Sequence, residues 1–313
     1  MSTTVEIVVP CFNEEENLPA LFSSFLAFRA IHAGTYDVKL LIVDNGSSDN
    51  TVVNCKNFVD HNPSSKLICL SRNFGKEASL TAGLFESRGD LVVPIDADLQ
   101  DPIEVISLML ECWARENVDV VLAKRMSRDG DSKSRRFYSR MYIRSFSKLA
   151  DVEIPSGVGE FRLMTRKVIA AFTELPESQR FVRGLFAWMG FSTATVEFDR
   201  QSREKGKSRF SYGKLLNLGI DGIVSFSTKP LRISIGLGLT AAIFSFILSI
   251  GVVFEKIFWK VPVQGYTSLA FLILFLGGVQ LFSIGVLGEY VGKVLLESKR
   301  RPIYIISEKY SND

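Results

Sequence analysis

Two stretches of this chain carry no charge over a length that crosses a bilayer, and they constrain everything else about it. Residues 233–254 (ISIGLGLTAAIFSFILSIGVVF) and 266–288 (YTSLAFLILFLGGVQLFSIGVLG) are wholly uncharged. A transmembrane helix needs about 20 consecutive apolar residues. A buried helix of a soluble core seldom runs this far without a charge. Only residues 255–265 join the two stretches, so they predict a helical hairpin with both chain ends on one side. Lys214, Lys229 and Arg232 precede the first span, and Lys293, Lys299, Arg300 and Arg301 follow the second. The connecting loop holds only Lys256 and Lys260. That asymmetry predicts both termini in the cytoplasm. Trp259, Tyr266 and Tyr290 stand where interfacial aromatics anchor such helices.

The remainder reads as soluble protein. At 47% hydrophobic and 23% charged residues the chain is not disordered. Thr4–Pro10 (TVEIVVP) has the pattern of a strand, without the basic segment or cleavage site of a signal peptide. Cys11, Cys55, Cys69 and Cys112 show no metal-binding spacing and fit reduced cytosolic thiols. The net charge of +3 is modest, and its local clustering matters more.

Along the first part, short apolar strands alternate with helical patterns. Strands are expected at Val5–Val9, Lys39–Val43, Lys66–Leu70, Asp90–Ile95 and Asp119–Ala123, with helices at Glu14–Arg29, Lys76–Glu86 and Pro102–Glu116. This alternation predicts a mostly parallel α/β sheet. Such sheets bind ligands at the carboxyl ends of their strands. The polar clusters fall there: Asn13-Glu14, Asp44, Arg72-Asn73 and Asp96-Ala97-Asp98. Arg203–Arg232 interleaves Phe210, Leu215, Leu216, Ile220, Ile223 and Phe226 with small and basic residues, the pattern of amphipathic helices on a membrane surface. The predicted organisation is a cytoplasmic domain over 1–209, juxtamembrane helices over 210–231, the two-span hairpin over 232–292 and a cytoplasmic tail over 293–313. Pro302–Ser307 (PIYIIS) has the composition of an added edge strand.

The sharpest chemical motif is Asp96-Ala97-Asp98-Leu99-Gln100-Asp101, directly after a buried strand. Two carboxylates one residue apart at a strand end can share a divalent cation, and hard oxygen ligands suit Mg²⁺ or Mn²⁺. Such an ion neutralises a diphosphate leaving group. VVPCFNEE and VDNGSSD each run from a strand through a polar loop into a helix, and read alone they are either helix caps or acceptors for a base and ribose. In SRNFGKE, Gly75 permits close approach of a ligand and Lys76 can meet a phosphate. Lys124–Arg144 carries eight basic residues against Asp129 and Asp131, with Arg136, Arg140 and Arg144 on one helical face. That face suits nucleic acid, lipid headgroups or a phosphate substrate. The downstream spans favour a membrane-proximal phosphate, and no nucleic-acid fold signature is present. In Gly159-Glu160-Phe161-Arg162, Glu160 is either catalytic or a salt-bridged strand residue.

Together these blocks resemble the family 2 inverting glycosyltransferases of GT-A fold. The polyprenyl-phosphate branch, with the dolichyl-phosphate mannose synthases, is similar, and the bactoprenol glucosyltransferases of O-antigen modification more so. The carriers are VVPCFNEEENL, VDNGSSDNT, SRNFGKEASLTAGL, DADLQDPIEV, VGEFRLM, FVRGLFAWMGF, Arg203-x-x-Gly206-x-Ser208, SFSTKPLRI, ILFLGGVQLFSIGVLGEYVG and ESKRRPIYII, covering nearly the whole chain. The resemblance implies that Asp96, Asp98 and Gln100 hold Mg²⁺ or Mn²⁺, and that Asp96, Asp98 and Glu160 are catalytic. It implies a nucleotide-sugar pocket of Pro10, Phe12, Asn13, Glu14, Asp44, Lys76 and Asp96. Arg125, Arg136, Arg140, Arg203 and Ser208 become the residues expected at the acceptor phosphate. The implied acceptor is undecaprenyl phosphate, the implied donor UDP-glucose or another nucleotide sugar, and the implied assembly a homo-oligomer, a tetramer, in the bacterial inner membrane. Two positions depart from the family pattern: Asn45 stands where VDDGS has a second carboxylate, and Glu160 where Gly-Asp-Phe-Arg is usual.

A lipid phosphate is largely dianionic at cytoplasmic pH, its second pKa being about 6, so as a nucleophile it needs little help from a general base. Catalysis then rests on positioning and electrostatics. A processive polysaccharide synthase would carry Gln-x-x-Arg-Trp and more spans, and Gln179-Arg180-Phe181-Val182-Arg183 does not match. A dinucleotide enzyme is disfavoured because no GxGxxG follows an early strand. A non-enzymatic membrane subunit with a decayed transferase domain is disfavoured by the intact Asp96 and Asp98.

Overall fold

In a computed structural model the chain is described over residues 2–126, 157–178, 180–199, 227–259 and 265–312. The described residues form two compact units. One holds the sheet and its helices together with the last strand, and the other holds the two long helices.

The sheet unit begins with β1 (Thr3–Cys11), α1 (Leu18–His32), β2 (Tyr36–Asp44), α2 (Thr51–His61), β3 (Ser65–Leu70), α3 (Lys76–Glu86), β4 (Leu91–Pro94), α4 (Val105–Glu116) and β5 (Val120–Arg125). It continues with β6 (Val158–Thr165), α5 (Arg166–Glu174), α6 (Val182–Trp188) and β7 (Thr193–Phe198), and closes with β8 (Ile306–Ser311). The strands lie in the order β7-β5-β6-β4-β1-β2-β3-β8. Neighbours β1–β2, β1–β4, β2–β3 and β5–β7 are parallel, while β4–β6, β5–β6 and β3–β8 are antiparallel. This is the mostly parallel, mixed sheet of the GT-A fold. Its central strands are buried on both faces, which is why Val5, Ile7, Val8, Val9, Leu40, Leu41, Ile42 and Val43 run without polar alternation. Chain order reverses between β1 and β4, and a crevice for ligands opens at such a switch point.

The helix Lys76–Glu86 lies where its spacing predicts it. Two others start later than expected. Helix α1 begins at Leu18 rather than Glu14, because the amides of Asn13, Glu14 and Glu15 bond to Ser47 Oγ, Thr51 Oγ1 and Asp49 Oδ2 across the next loop. Helix α4 begins at Val105 rather than Pro102, after tight turns in which Val105 and Ile106 donate to Pro102 and Ile103 carbonyls. The C-terminal strand is shifted from Pro302–Ser307 to Ile306–Ser311, held in register by polar anchors. Glu308 accepts from Lys56 at 2.7 Å, Lys309 donates to Glu86 at 2.6 Å and Tyr310 donates to Asp60 at 2.6 Å. In this position β8 covers the exposed edge of β3, which removes a row of unpaired backbone groups. All four cysteines are free and buried.

The second unit contains α7 (Lys229–Trp259) and α8 (Tyr266–Ser298), 31 and 33 residues long. Both outrun the uncharged stretches, at about 1.5 Å per residue, and each is long and apolar enough to cross a membrane. Ile235, Leu239, Phe246, Ile273, Leu281 and Ile284 are exposed on them, an apolar surface suited to lipid. Tyr290 donates to the Ser227 carbonyl at 2.6 Å, tying α8 to the start of α7. The amphipathic segment expected at 210–231 lies outside the described residues up to position 226.

Helix α3 packs so closely on β1 that a Cβ on Gly83 would land inside contact distance of Val8 Cγ1. Gly83→Val is therefore expected to destabilise the sheet unit by about 2 kcal/mol, read as a lowered thermal midpoint. Val8→Ala in the same chain should recover part of that loss.

Candidate functional site

The carboxyl ends of β1 and β4 converge with the start of β6. Leu91 opposes Thr165 and Val92 opposes Met164 in the antiparallel β4–β6 ladder, so residues preceding Arg162 approach those following Pro94. Helix α3 enters from one side with Lys76 in its first turn, and α6 brings Arg183. Pro10, Lys76, Leu80, Pro94, Ile95, Asp96, Asp101, Arg125, Glu160, Phe161 and Arg183 line the resulting pocket.

Its walls are ionic. The Lys76 ammonium lies 2.6 Å from Asp96 Oδ1 and 3.0 Å from Glu160 Oε2. Arg183 Nη2 lies 3.2 Å from Glu160 Oε1. Arg125 Nη2 donates to both oxygens of Asp101 at 3.1 Å. Burial alone would raise the Glu160 carboxyl, but Lys76 and then Arg183 hold it below the usual carboxylate range. Burial likewise opposes the Lys76 charge, yet Asp96 and Glu160 hold its pKa well above the ordinary value. Beneath them Arg162 is buried, donates to the Gly159 carbonyl at 2.7 Å and lies over the Phe186 ring; desolvation pushes its pKa down to about 10. Glu77 accepts from the Val182 amide at 3.2 Å. Desolvation, and then the charge of Glu160, push its carboxyl up to about 7.

Of the residues expected from sequence, the structure brings Pro10, Lys76, Asp96, Arg125 and Glu160 together around this pocket. Phe12, Asn13 and Glu14 lie in the loop after β1 and Asp44 ends β2, and none of the four lines the pocket. Asp44 is 1% exposed and accepts from the amides of Gly46 and Ser47, so its carboxylate shapes its own turn. Gly46 (φ +73°) is required there, since a Cβ would meet the Arg72 backbone carbon at 2.6 Å. Asn13 stitches the two loops by accepting from the Ser48 amide at 2.8 Å. Asn45, where the family has a carboxylate, accepts from the Phe74 amide and donates to Asn73 Oδ1, which in turn accepts from the Gly75 amide. An aspartate could not make the donation. Arg136, Arg140, Arg203 and Ser208 lie outside the described residues. Sequence reasoning did not single out Asp101, Arg183 or Glu77. All three lay inside quoted blocks, but their partners are distant in the chain.

Among the described residues no group of three or more His, Cys, Asp or Glu side chains is placed to hold a metal. The donor set nevertheless fits Mg²⁺ or Mn²⁺. Magnesium is typically held by one or two carboxylates, with substrate phosphates and water completing the shell. Asp96 and Asp98 supply two, and a cation already sits on Asp96 in the form of the Lys76 ammonium. Asp98 accepts from the Gln100 amide at 3.2 Å, which fixes the turn that carries both carboxylates.

Residues 6–172 match the family described as Glycosyl transferase family 2, and residues 229–294 match the GtrB C-terminal hairpin. The chain is 42% identical to an uncharacterized glycosyltransferase of Synechocystis, over 98% of this chain and 96% of that protein. It is 42% identical to the bactoprenol glucosyl transferase of Shigella phage SfV, over 97% of this chain and 98% of that one. A prophage bactoprenol glucosyl transferase homolog of Escherichia coli is 40% identical over 96% and 98%. Among solved structures, glucosyl-3-phosphoglycerate synthase of Mycobacterium tuberculosis superposes with a TM-score of 0.49 and 18% identity, covering 71% of this chain and 78% of that one.

The raised Glu77 carboxyl has a consequence for stability. The folded state binds its proton more tightly than the unfolded chain, whose carboxyl titrates near the ordinary 4.5. Its stabilising contribution is therefore full below that value and lost as pH rises through about 7. Glu77→Gln should flatten the fall in thermal midpoint between pH 5 and 8, checked by calorimetry across that range.

Proposed function

The chain belongs to glycosyl transferase family 2, and from that membership we propose that it transfers one glucose from UDP-glucose onto undecaprenyl phosphate, with inversion at the anomeric carbon. The observation that carries this reading is a charged pocket at a sheet switch point in the same chain as a GtrB hairpin. Proteins named for this reaction match the chain over both parts. We assign the chain to a bacterial inner membrane with both termini in the cytoplasm, a reading supported by the GtrB hairpin match and by the distribution of Lys and Arg. We propose a homo-oligomer, a tetramer, in that membrane.

Asp96 and Asp98, with Gln100 beside them, would hold Mg²⁺ or Mn²⁺ against the donor diphosphate. When bound, such an ion offsets the charge of the departing nucleoside diphosphate. Pro10 and Asp96 would border the donor, and the loop after β1 that carries Phe12, Asn13 and Glu14 would meet the nucleotide. Asp44 acts by shaping its loop. Arg125, oriented by Asp101, presents positive charge in the pocket wall for the acceptor phosphate, with Arg136, Arg140, Arg203 and Ser208 assigned to the same task. Glu160 is held ionised by two cations and is thereby a weak base. This suits a dianionic phosphate acceptor, which attacks without surrendering a proton.

Full-length protein in detergent, given undecaprenyl phosphate, a divalent cation and radiolabelled UDP-glucose, UDP-galactose, UDP-N-acetylglucosamine or GDP-mannose in separate reactions, tests the proposal. Organic-extractable label from UDP-glucose alone, abolished by EDTA, is expected. Label from another donor would reassign the sugar, and none from folded protein would refute the activity. Asp98→Ala should lower turnover by roughly 100-fold or more, and Glu160→Gln by much less. Equal losses in two folded, donor-binding variants would contradict the assigned roles.

A further inference from the structure

Lys76 is where the pocket holds its own cation. Its ammonium touches Asp96 at 2.6 Å and Glu160 at 3.0 Å, while Glu160 is fixed from its other oxygen by Arg183 at 3.2 Å. Asp101, the other acidic group of the lining, is already neutralised by Arg125. Lys76 is thus the cation that faces the carboxylate assigned to the metal. A carboxylate oxygen in contact with an ammonium cannot also coordinate a divalent ion without bringing two positive charges together. The Lys76 and Asp96 side chains are 50% and 33% exposed, so water and a dissolved cation can reach their contact. Its stem is flexible and its charge compact, which allows it to change partners.

We propose that Lys76 is an exchangeable internal counter-ion: it occupies Asp96 while the metal is absent, leaves Asp96 when a divalent cation binds, and turns to the donor diphosphate. This rests on the reading of Asp96 and Asp98 as the cation site. Glu160, held by Arg183, is the pivot of the movement, since Lys76 keeps one partner while it releases the other. Metal and diphosphate then favour each other's binding, because the diphosphate offers Lys76 the partner that the metal takes away. Such coupling is reciprocal.

The test measures Mn²⁺ affinity of the full-length protein in detergent by electron paramagnetic resonance of free Mn²⁺, with and without UDP. Lys76→Met should bind Mn²⁺ alone about fivefold more tightly than the unaltered chain. UDP should tighten its Mn²⁺ binding less than it does in the unaltered chain. Lys76→Arg, which keeps a cation at Asp96, should resemble the unaltered chain, and Lys76→Gln should repeat the Met result. Unchanged Mn²⁺ affinity in both neutral variants, with Mn²⁺ binding intact in the unaltered chain, would overturn the exchange and leave the cation site standing. Folded, unaltered protein that binds no Mn²⁺ even with UDP would overturn both.

Discussion

The contact of Lys76 with Asp96 and Glu160 joins three pieces of chain that share no local sequence: the first turn of α3, the loop after β4 and the start of β6. Each piece arrives by a different physical route. The parallel β1–β4 pairing places Asp96 beside the end of β1, and the antiparallel β4–β6 ladder returns Glu160 to the same level. Close packing of Gly83 on Val8 holds α3 near enough for Lys76 to reach both carboxylates. A pocket lined by this many charges persists because each is paired; removing one partner would leave the other inadequately solvated.

That pairing also decides what chemistry the pocket performs. A carboxylate facing two cations gains little by accepting a proton, so on the proposed reading Glu160 would contribute charge and position rather than basicity. An enzyme whose acceptor is a sugar hydroxyl needs a base. A phosphate acceptor brings its own negative oxygen, and the demands become those of holding two anionic substrates close together. On the proposed reading the basic groups that line the pocket, Lys76, Arg125 and Arg183, would answer that demand. On the proposed reading the hairpin would keep the protein at the surface where a polyprenyl lipid presents its phosphate.

Much of this was legible in the chain. The strand–helix alternation, the hairpin and the position of DADLQD at a strand end follow from periodicity and charge alone. Helix α3 appears with its expected bounds. Helix α1 was expected too early because amides before it are claimed by Ser47, Thr51 and Asp49, more than thirty positions away. The pairing of Arg183 with Glu160 and of Arg125 with Asp101 was illegible for the same reason, since tertiary packing rather than chain position makes those residues neighbours. Asn45 looked like a lost carboxylate and proves to be a loop tether that needs an amide. Asp44, expected at the nucleotide, also accepts from two amides of its own turn, a local role its sequence position did not reveal.

The central claim is that the acceptor phosphate supplies the nucleophile and Glu160 does not act as its base. The pH dependence of glucosyl transfer to undecaprenyl phosphate, measured in the unaltered chain and in Glu160→Gln, tests it most directly. Both should show an acidic limb near the second phosphate pKa of about 6, differing in height but not in position. A limb that disappears or moves in Glu160→Gln would mean that Glu160 itself takes the proton, and the account would be wrong.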